Sequence, residues 1–205
     1  LINMTLNFTR RTILSGIFFG TINYKLSSSC PTTPYQPKGP FFKATNLPNN
    51  IDLTNNGKAQ GEIVKIEGKV IDNLCKPHSN CHIKIWQANK HGKYNHENDF
   101  SLNRKDKNFL GYSFIKTDNN GFYKFITIIP GSYKISKKII RPPHIHLYLR
   151  TKDNKTLSTQ LYFKGHKNNA QDFLYRRVKN KHLIEIETKK NNSDKYLSSN
   201  FNIVL

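Results

Sequence analysis

The chain is poor in sulfur, in acidic residues and in long apolar runs. Among 205 residues there are three cysteines (Cys30, Cys75 and Cys81), one methionine and one tryptophan. An odd cysteine count with no C-x-x-C spacing argues against a zinc knuckle and against a disulfide framework. Cys75 and Cys81 could pair, but two small buried residues is the simpler reading. No G-x-G-x-x-G, P-loop or G-x-S-x-G stretch occurs, so the chain carries none of these marks of dinucleotide binding, nucleoside triphosphate binding or serine hydrolysis. The apolar run from Ile13 to Tyr24 is about 12 residues, too short to cross a bilayer as a stable helix.

Acidic residues number 13 against 33 basic ones, a net charge of +20. Such a balance raises nucleic-acid binding as a reading. The basic residues are nevertheless scattered through every segment rather than gathered in a patch, so nucleic acid is not the expected partner. The field would still draw in small anions, such as an aromatic carboxylate.

The length suits one domain, or one domain with a tail. Arg10-Arg11, then the apolar run, then Ser27-Ser28-Ser29-Cys30 follow the order of an export signal, with paired arginines as in twin-arginine leaders. Cys30 is a candidate for lipid modification, although the serines before it make a poor lipobox. The only methionine is Met4, which leaves the translation start open. Residues 1–30 are therefore expected to be an export signal or N-terminal anchor. Residues 31–60, rich in Pro, Asn, Thr and Gly, read as an irregular arm. Export would place the protein in the periplasm or outside the cell; without it the protein would be cytoplasmic.

From Gly61 the texture changes to short alternating runs separated by turn residues. Ile63–Asp72, Ile83–Ala88, Tyr112–Thr117, Phe122–Ile128, His144–Arg150, Leu157–Phe163, Leu183–Thr188 and Phe201–Leu205 give about eight or nine strands. Asp118-Asn119-Asn120-Gly121 is a strong hairpin turn, across which Phe122–Ile128 is expected to pair back. The fold class is all-β: an antiparallel β-sandwich over residues 61–205.

Arg141-Pro-Pro-His144-Ile-His146 is the stretch that organises the rest. On a strand the side chains alternate, so His144 and His146 share one face and Ile145 points into apolar packing. Tyr94 and Tyr133 each follow a glycine-containing turn and can reach inward from loops. Two phenolates and two imidazoles are a hard, anionic donor set. They suit ferric iron better than zinc, which favours thiolate and imidazole, or magnesium, which favours carboxylate and water.

Several segments carry a family resemblance in a shared order. Gly61–Asp72, Ile85-Trp86-Gln87-Ala88-Asn89, Gly92-Lys93-Tyr94, Thr117–Gly121, Pro130-Gly131-Ser132-Tyr133, Arg141–His146 and Thr159-Gln160-Leu161-Tyr162-Phe163 resemble the intradiol ring-cleavage dioxygenases of the protocatechuate 3,4-dioxygenase type. The arm, from Pro31 to Phe42, is similar to that family's leading segment. The resemblance implies Fe(3+) held by Tyr94, Tyr133, His144 and His146. It places Arg141 and Gln160 beside a bound aromatic diol. It implies ring opening between two hydroxyls with both atoms of O2 entering a cis,cis-muconate-type product, and assembly into a homo-oligomer. No nucleic acid or membrane partner is expected for the mature domain. Departures from the family pattern are Lys93 for the usual Arg, Phe42 for a frequent Tyr, Cys75 for a turn Gly and Cys81 for Ala. The segment Lys134–Ile140 is short, basic and without an aromatic residue, which leaves open which catechol is the substrate. The competing expectation is a non-catalytic exported β-sandwich that binds a partner.

Overall fold

The computed structural model describes residues 29–136, 138–190 and 192–205. The export-signal expectation and most of the 1–30 segment fall outside these residues. Eleven strands and one short helix are described: β1 (Ile63–Ile71), β2 (His82–Trp86), β3 (Tyr112–Lys116), β4 (Phe122–Ile128), β5 (Tyr133–Lys134), β6 (Ile140–Arg141), β7 (His144–Arg150), β8 (Thr156–Phe163), α1 (Phe173–Arg177), β9 (Glu185–Ile186), β10 (Leu197–Asn200) and β11 (Ile203–Val204).

β1 is the spine of one sheet. It pairs antiparallel with β4 on one side, and parallel with β10 and then β11 on the other. The second sheet runs β3-β2-β7-β8-β9, antiparallel except for the parallel β8–β9 pair. Val64, Ile66, Val70, Phe125 and Ile128 from the first sheet meet Ile83, Ile85, Ile145, Leu147, Leu149 and Leu161 from the second in one core. Burying a side chain of this size contributes roughly 1.5–3 kcal/mol.

The all-β expectation holds, with four corrections. The Asp118–Gly121 turn does not join a hairpin, because β3 lies in the five-stranded sheet and β4 in the other, so the turn carries the chain between sheets. Its local chemistry is as expected. The Asp118 carboxylate accepts from the Asn120 and Phe122 amides, and Gly121 has φ of +72°. The sandwich is not wholly antiparallel, since β9, β10 and β11 all pair parallel. The strand expected over Leu183–Thr188 shrinks to Glu185–Ile186 behind a 3-10 turn at Lys181–Leu183. The last strand shortens likewise to Ile203–Val204, and just before it the Asn202 side chain, not its backbone, accepts the Lys69 amide at 2.9 Å.

The cysteines need a further correction. Cys30 and Cys75 form a disulfide, with Cα atoms 5.5 Å apart, and Cys81 is free and buried. One pair needs no framework. Cys75 sits in the turn after β1, and the Cys30 amide bonds to the Asn73 carbonyl in that same turn. The Cys30 sulfur is thereby committed, which overturns the lipid-modification expectation. Closing a loop of 45 residues stabilises the fold by about 4 kcal/mol in the chain-entropy account. Burial pushes the Cys81 thiol up to about 12, so it stays protonated and unreactive at pH 8. The expected thiol count is zero in the native protein, one after denaturation without reductant, and three after reduction. Titration with a chromogenic disulfide reagent checks it, and three thiols before reduction would refute the pairing.

The alternation that fills the core also prepares a second surface. On β2, β7 and β8 the residues between the core-facing ones are Trp86, then His144 and His146, then Gln160 and Tyr162. The register sets Trp86 beside His146, His146 beside Gln160, and His144 beside Tyr162. This outer face is covered by the arm. The Tyr112 hydroxyl donates to the Phe41 carbonyl at 2.7 Å, and the Gln160 amide to the Pro37 carbonyl at 3.0 Å. Lys84 donates to the Ala44 carbonyl, and the Lys38 ammonium sits 4.0 Å from the Tyr148 ring centroid.

Candidate metal centre

His144 and His146 leave β7 on the covered face, as the His-x-His spacing requires, and Ile145 enters the core. His144 donates from Nδ1 to the Pro142 carbonyl at 2.7 Å, which leaves a lone pair on Nε2. The His146 ring lies flat against Trp86, with centroids 4.8 Å apart and planes 9° apart. Its Nδ1 is buried without a hydrogen-bond partner.

The two tyrosines arrive on loops that touch through glycines. After β2, the Asn89 carbonyl accepts from the amides of both Gly92 and Gly131, at 3.0 and 2.9 Å. A Cβ on Gly131 would lie 2.2 Å from the Lys90 carbonyl oxygen, and one on Gly92 would lie 2.5 Å from that of Ser132. Only bare backbone permits this approach, and it sets the Tyr94 and Tyr133 rings edge to face at 5.5 Å. Tyr94 is locked: its amide donates to Asp99 at 2.7 Å, and Phe41 stacks on its ring at 4.3 Å. Lys93, standing where the family usually has Arg, is buried and paired with Asp99 at 3.2 Å, and so holds this same loop. Tyr133 is less enclosed, on the two-stranded β5–β6 ladder that also carries Arg141.

The four side chains converge. The Tyr94 and Tyr133 hydroxyls stand 3.4 and 3.5 Å from the same nitrogen, His144 Nε2. The two imidazoles lie 4.8 Å apart at their centroids. Donors bound about 2.0–2.1 Å from one metal ion lie roughly 3–3.5 Å from one another, so the spacing fits a shared ion. Charge fits as well. Burial, then the Arg141 charge, holds both imidazoles well below their usual range, so they are neutral, as metal ligation would require. Burial, aided by Tyr133, lifts the Tyr94 phenol well above its usual range; burial also lifts Tyr133, with Arg141 opposing. Only a strongly Lewis-acidic cation would ionise such phenols, and a ferric ion is one. Among the described residues no group of three or more His, Cys, Asp or Glu side chains could hold a metal, so phenols are needed to complete a site.

Arg141 is buried beside these rings. Its Nε donates to Asp172 at 2.5 Å, and its Nη2 donates to Gln160 at 2.6 Å and to the Tyr162 hydroxyl at 3.2 Å.

A family model described as dioxygenase matches residues 37–205. Over 134 residues the chain is 39% identical to the protocatechuate 3,4-dioxygenase beta chain of Burkholderia cepacia, which covers 62% of this chain and 57% of that one. The chain belongs to the intradiol ring-cleavage dioxygenase family. Catechol 1,2-dioxygenase of Acinetobacter baylyi is 27% identical over 159 residues, covering 70% of this chain and 50% of the relative. The chain thus spans little more than half the length of these curated relatives. The dioxygenase domain of a Streptomyces dioxygenase–carbohydrate-binding fusion superposes with a TM-score of 0.68 at 25% identity, covering 85% of this chain and 98% of that domain.

All six residues singled out from the sequence of this intradiol family member, Tyr94, Tyr133, His144, His146, Arg141 and Gln160, gather in one place. Four others were not foreseen as part of it. Trp86, buried in a hydrophobic cluster with Ala88, Tyr94 and Tyr112, is also the platform under His146. Phe41 covers Tyr94. Tyr162 and Asp172 hold Arg141. A signal existed for Tyr162, which shares the face of Gln160 at a spacing of two. Asp172 had only its place before a short apolar stretch. His96 reaches the outside of the Phe41 ring, at 5.8 Å, rather than the donors.

Proposed function

We propose that the protein binds ferric iron through Tyr94, Tyr133, His144 and His146 and opens a catechol-type ring between its two hydroxyls with O2. The observation that carries this reading is the pair of phenol oxygens, one buried and one partly buried, facing one imidazole nitrogen within a four-ring cluster. A bound ferric ion would supply a Lewis acid for both diol oxygens to chelate, which would let the ring react with O2.

The chain's own residues prepare the rest. Tyr133 is the less enclosed of the two phenols, and its Oη, once ionised by a bound metal, would be the one to take the proton from a diol hydroxyl. Tyr94, under Phe41, stays in place. The Pro142 carbonyl and the Trp86 ring hold the imidazoles in position. Arg141 supplies a fixed positive charge where the ring becomes anionic, and Gln160 holds Arg141. The arm excludes water, with Gly39 backbone lying over His146: a Cβ there would be 3.6 Å from His146 Cε1. Both oxygen atoms end in a muconate-type product, so no external reductant enters.

The deciding experiment is the visible spectrum of the iron-loaded protein, before and after protocatechuate, catechol or hydroxyquinol is added under nitrogen. A tyrosinate-to-iron charge-transfer band that shifts with a diol is expected. A colourless protein would sink the reading in favour of a non-catalytic binding module. The Cys30–Cys75 disulfide supports export to an oxidising compartment. Blocking free thiols in intact native cells before lysis should recover Cys30 and Cys75 unlabelled; labelling of both would argue for the cytoplasm.

A further inference from the structure

Asp172 lies 31 residues beyond Arg141, past the last strand that lines the site, and is fully buried. Its two carboxylate oxygens do different things. Oδ1 accepts from the amides of Leu174 and Tyr175, at 2.9 and 2.8 Å, and so starts α1. Oδ2 accepts from Arg141 Nε at 2.5 Å. The Tyr162 hydroxyl joins the two groups, 3.2 Å from Arg141 Nη2 and 3.4 Å from Asp172 Oδ1. A guanidinium is a rigid plane of five donors. With Nε on Asp172 and Nη2 on Gln160 and Tyr162, that plane is fixed at two nitrogens, and among the described residues Nη1 is the nitrogen left for a ligand. Phe173, the first residue of α1, then lies with its ring centroid 5.6 Å from the guanidinium carbon and its side chain partly exposed.

We propose that Asp172 is a positioning residue for the diol site. It sets the plane of Arg141 and, by capping α1, ties the 169–177 segment to that setting. The inference rests on the dioxygenase reading. Its special feature is the division of labour between two oxygens, because it allows the two roles to be separated. Asp172→Asn keeps an Oδ1 that can cap the helix but turns an amide toward Arg141, donor against donor. Asp172→Ser likewise keeps a capping oxygen and loses the partner for Nε.

Both variants, loaded with ferric iron, should keep the charge-transfer band of the resting wild type. Their dissociation constant for protocatechuate under nitrogen (or for catechol, if that is the diol turned over) should rise, and kcat/KM should fall, by about 10–100-fold. In an Arg141→Met background the Asp172→Asn change should have no further effect on either quantity, because there is no guanidinium left to position. A lowered melting temperature with wild-type binding and kcat/KM would make Asp172 purely structural and overturn the proposal. Independent, additive effects in the double variant would also overturn it. Loss of the resting band in both cap-competent variants would assign Asp172 to the folding of the metal site and would overturn it too. A wild type that neither colours nor turns over removes the dioxygenase reading itself, and the variants are then not needed to see it.

Discussion

Tyr133→Phe should lose the ferric colour change with diol and at least about 100-fold in turnover, more than outer partners of metal ligands usually cost, while the fold stays intact. The expectation of a stable variant follows from the contacts. Tyr133 is only partly buried, and among the described residues its hydroxyl meets only the Tyr94 hydroxyl and, at the limit of hydrogen-bond distance, His144 Nε2 at 3.5 Å. Removing such a contact changes stability by no more than about 1 kcal/mol. Under the proposed function, by contrast, the phenol oxygen is one of four metal donors and the one that takes a proton from the incoming diol. Thermal unfolding, iron content and the visible spectrum separate the two effects. A Tyr133→Phe protein that cleaves diols at the wild-type rate would remove Tyr133 from the ligand set and leave the donor count at three.

Gly131→Ala should be nearly as damaging, although no reacting atom is touched. An added Cβ would stand 2.2 Å from the Lys90 carbonyl oxygen and 2.6 Å from the Gly92 amide nitrogen. Both are main-chain atoms, so no side chain can yield. The turn must move by about 1 Å, and a misplacement of that size costs on the order of 100-fold in rate. It would also break the Gly131 amide's bond to the Asn89 carbonyl, which holds the Tyr133 loop to the Tyr94 loop. Overpacking alone costs about 1–3 kcal/mol, so the domain should still fold but take up iron poorly. Gly165 is the control. Its φ is +76°, yet nothing lies within 4 Å of an added Cβ. Gly165→Ala should therefore cost only the left-handed backbone penalty, about 1–2 kcal/mol, with wild-type colour and rate. Equal loss of activity in both variants would show that the contact between the tyrosine loops is not what matters.

Much of this was legible in the sequence because it depends on local periodicity. The strand limits Phe122–Ile128 and His144–Arg150 follow from alternation and flanking turn residues, and the structure reproduces both. The same period of two places His144 and His146 together without any knowledge of the fold. What was not legible depends on distance along the chain. Asp118–Gly121 has the chemistry of a tight turn in either topology, and nothing local says that the chain changes sheets there. β10 is Leu-Ser-Ser-Asn, too polar to read as a strand, and is set by its parallel pairing with β1. Cys30 meets Cys75 because the arm folds back onto the turn after β1. Asp172 meets Arg141 because the segment after β8 folds back over the outer face. α1, with five residues, is too short to show a helical period.

The arm has a practical consequence for cloning. The family match begins at residue 37. Yet Thr33 exchanges two hydrogen bonds with Val204, at 2.9 and 3.0 Å, the Gln36 amide bonds to the Ser158 carbonyl at 2.7 Å, and Cys30 carries the disulfide. A clone trimmed to the match would start within the layer that covers His146. It would lose the anchors that hold that layer down while keeping every donor. Such a truncate would resemble a vessel with its contents in place and its stopper untied, so the working boundary for expression lies ahead of Cys30 rather than at residue 37.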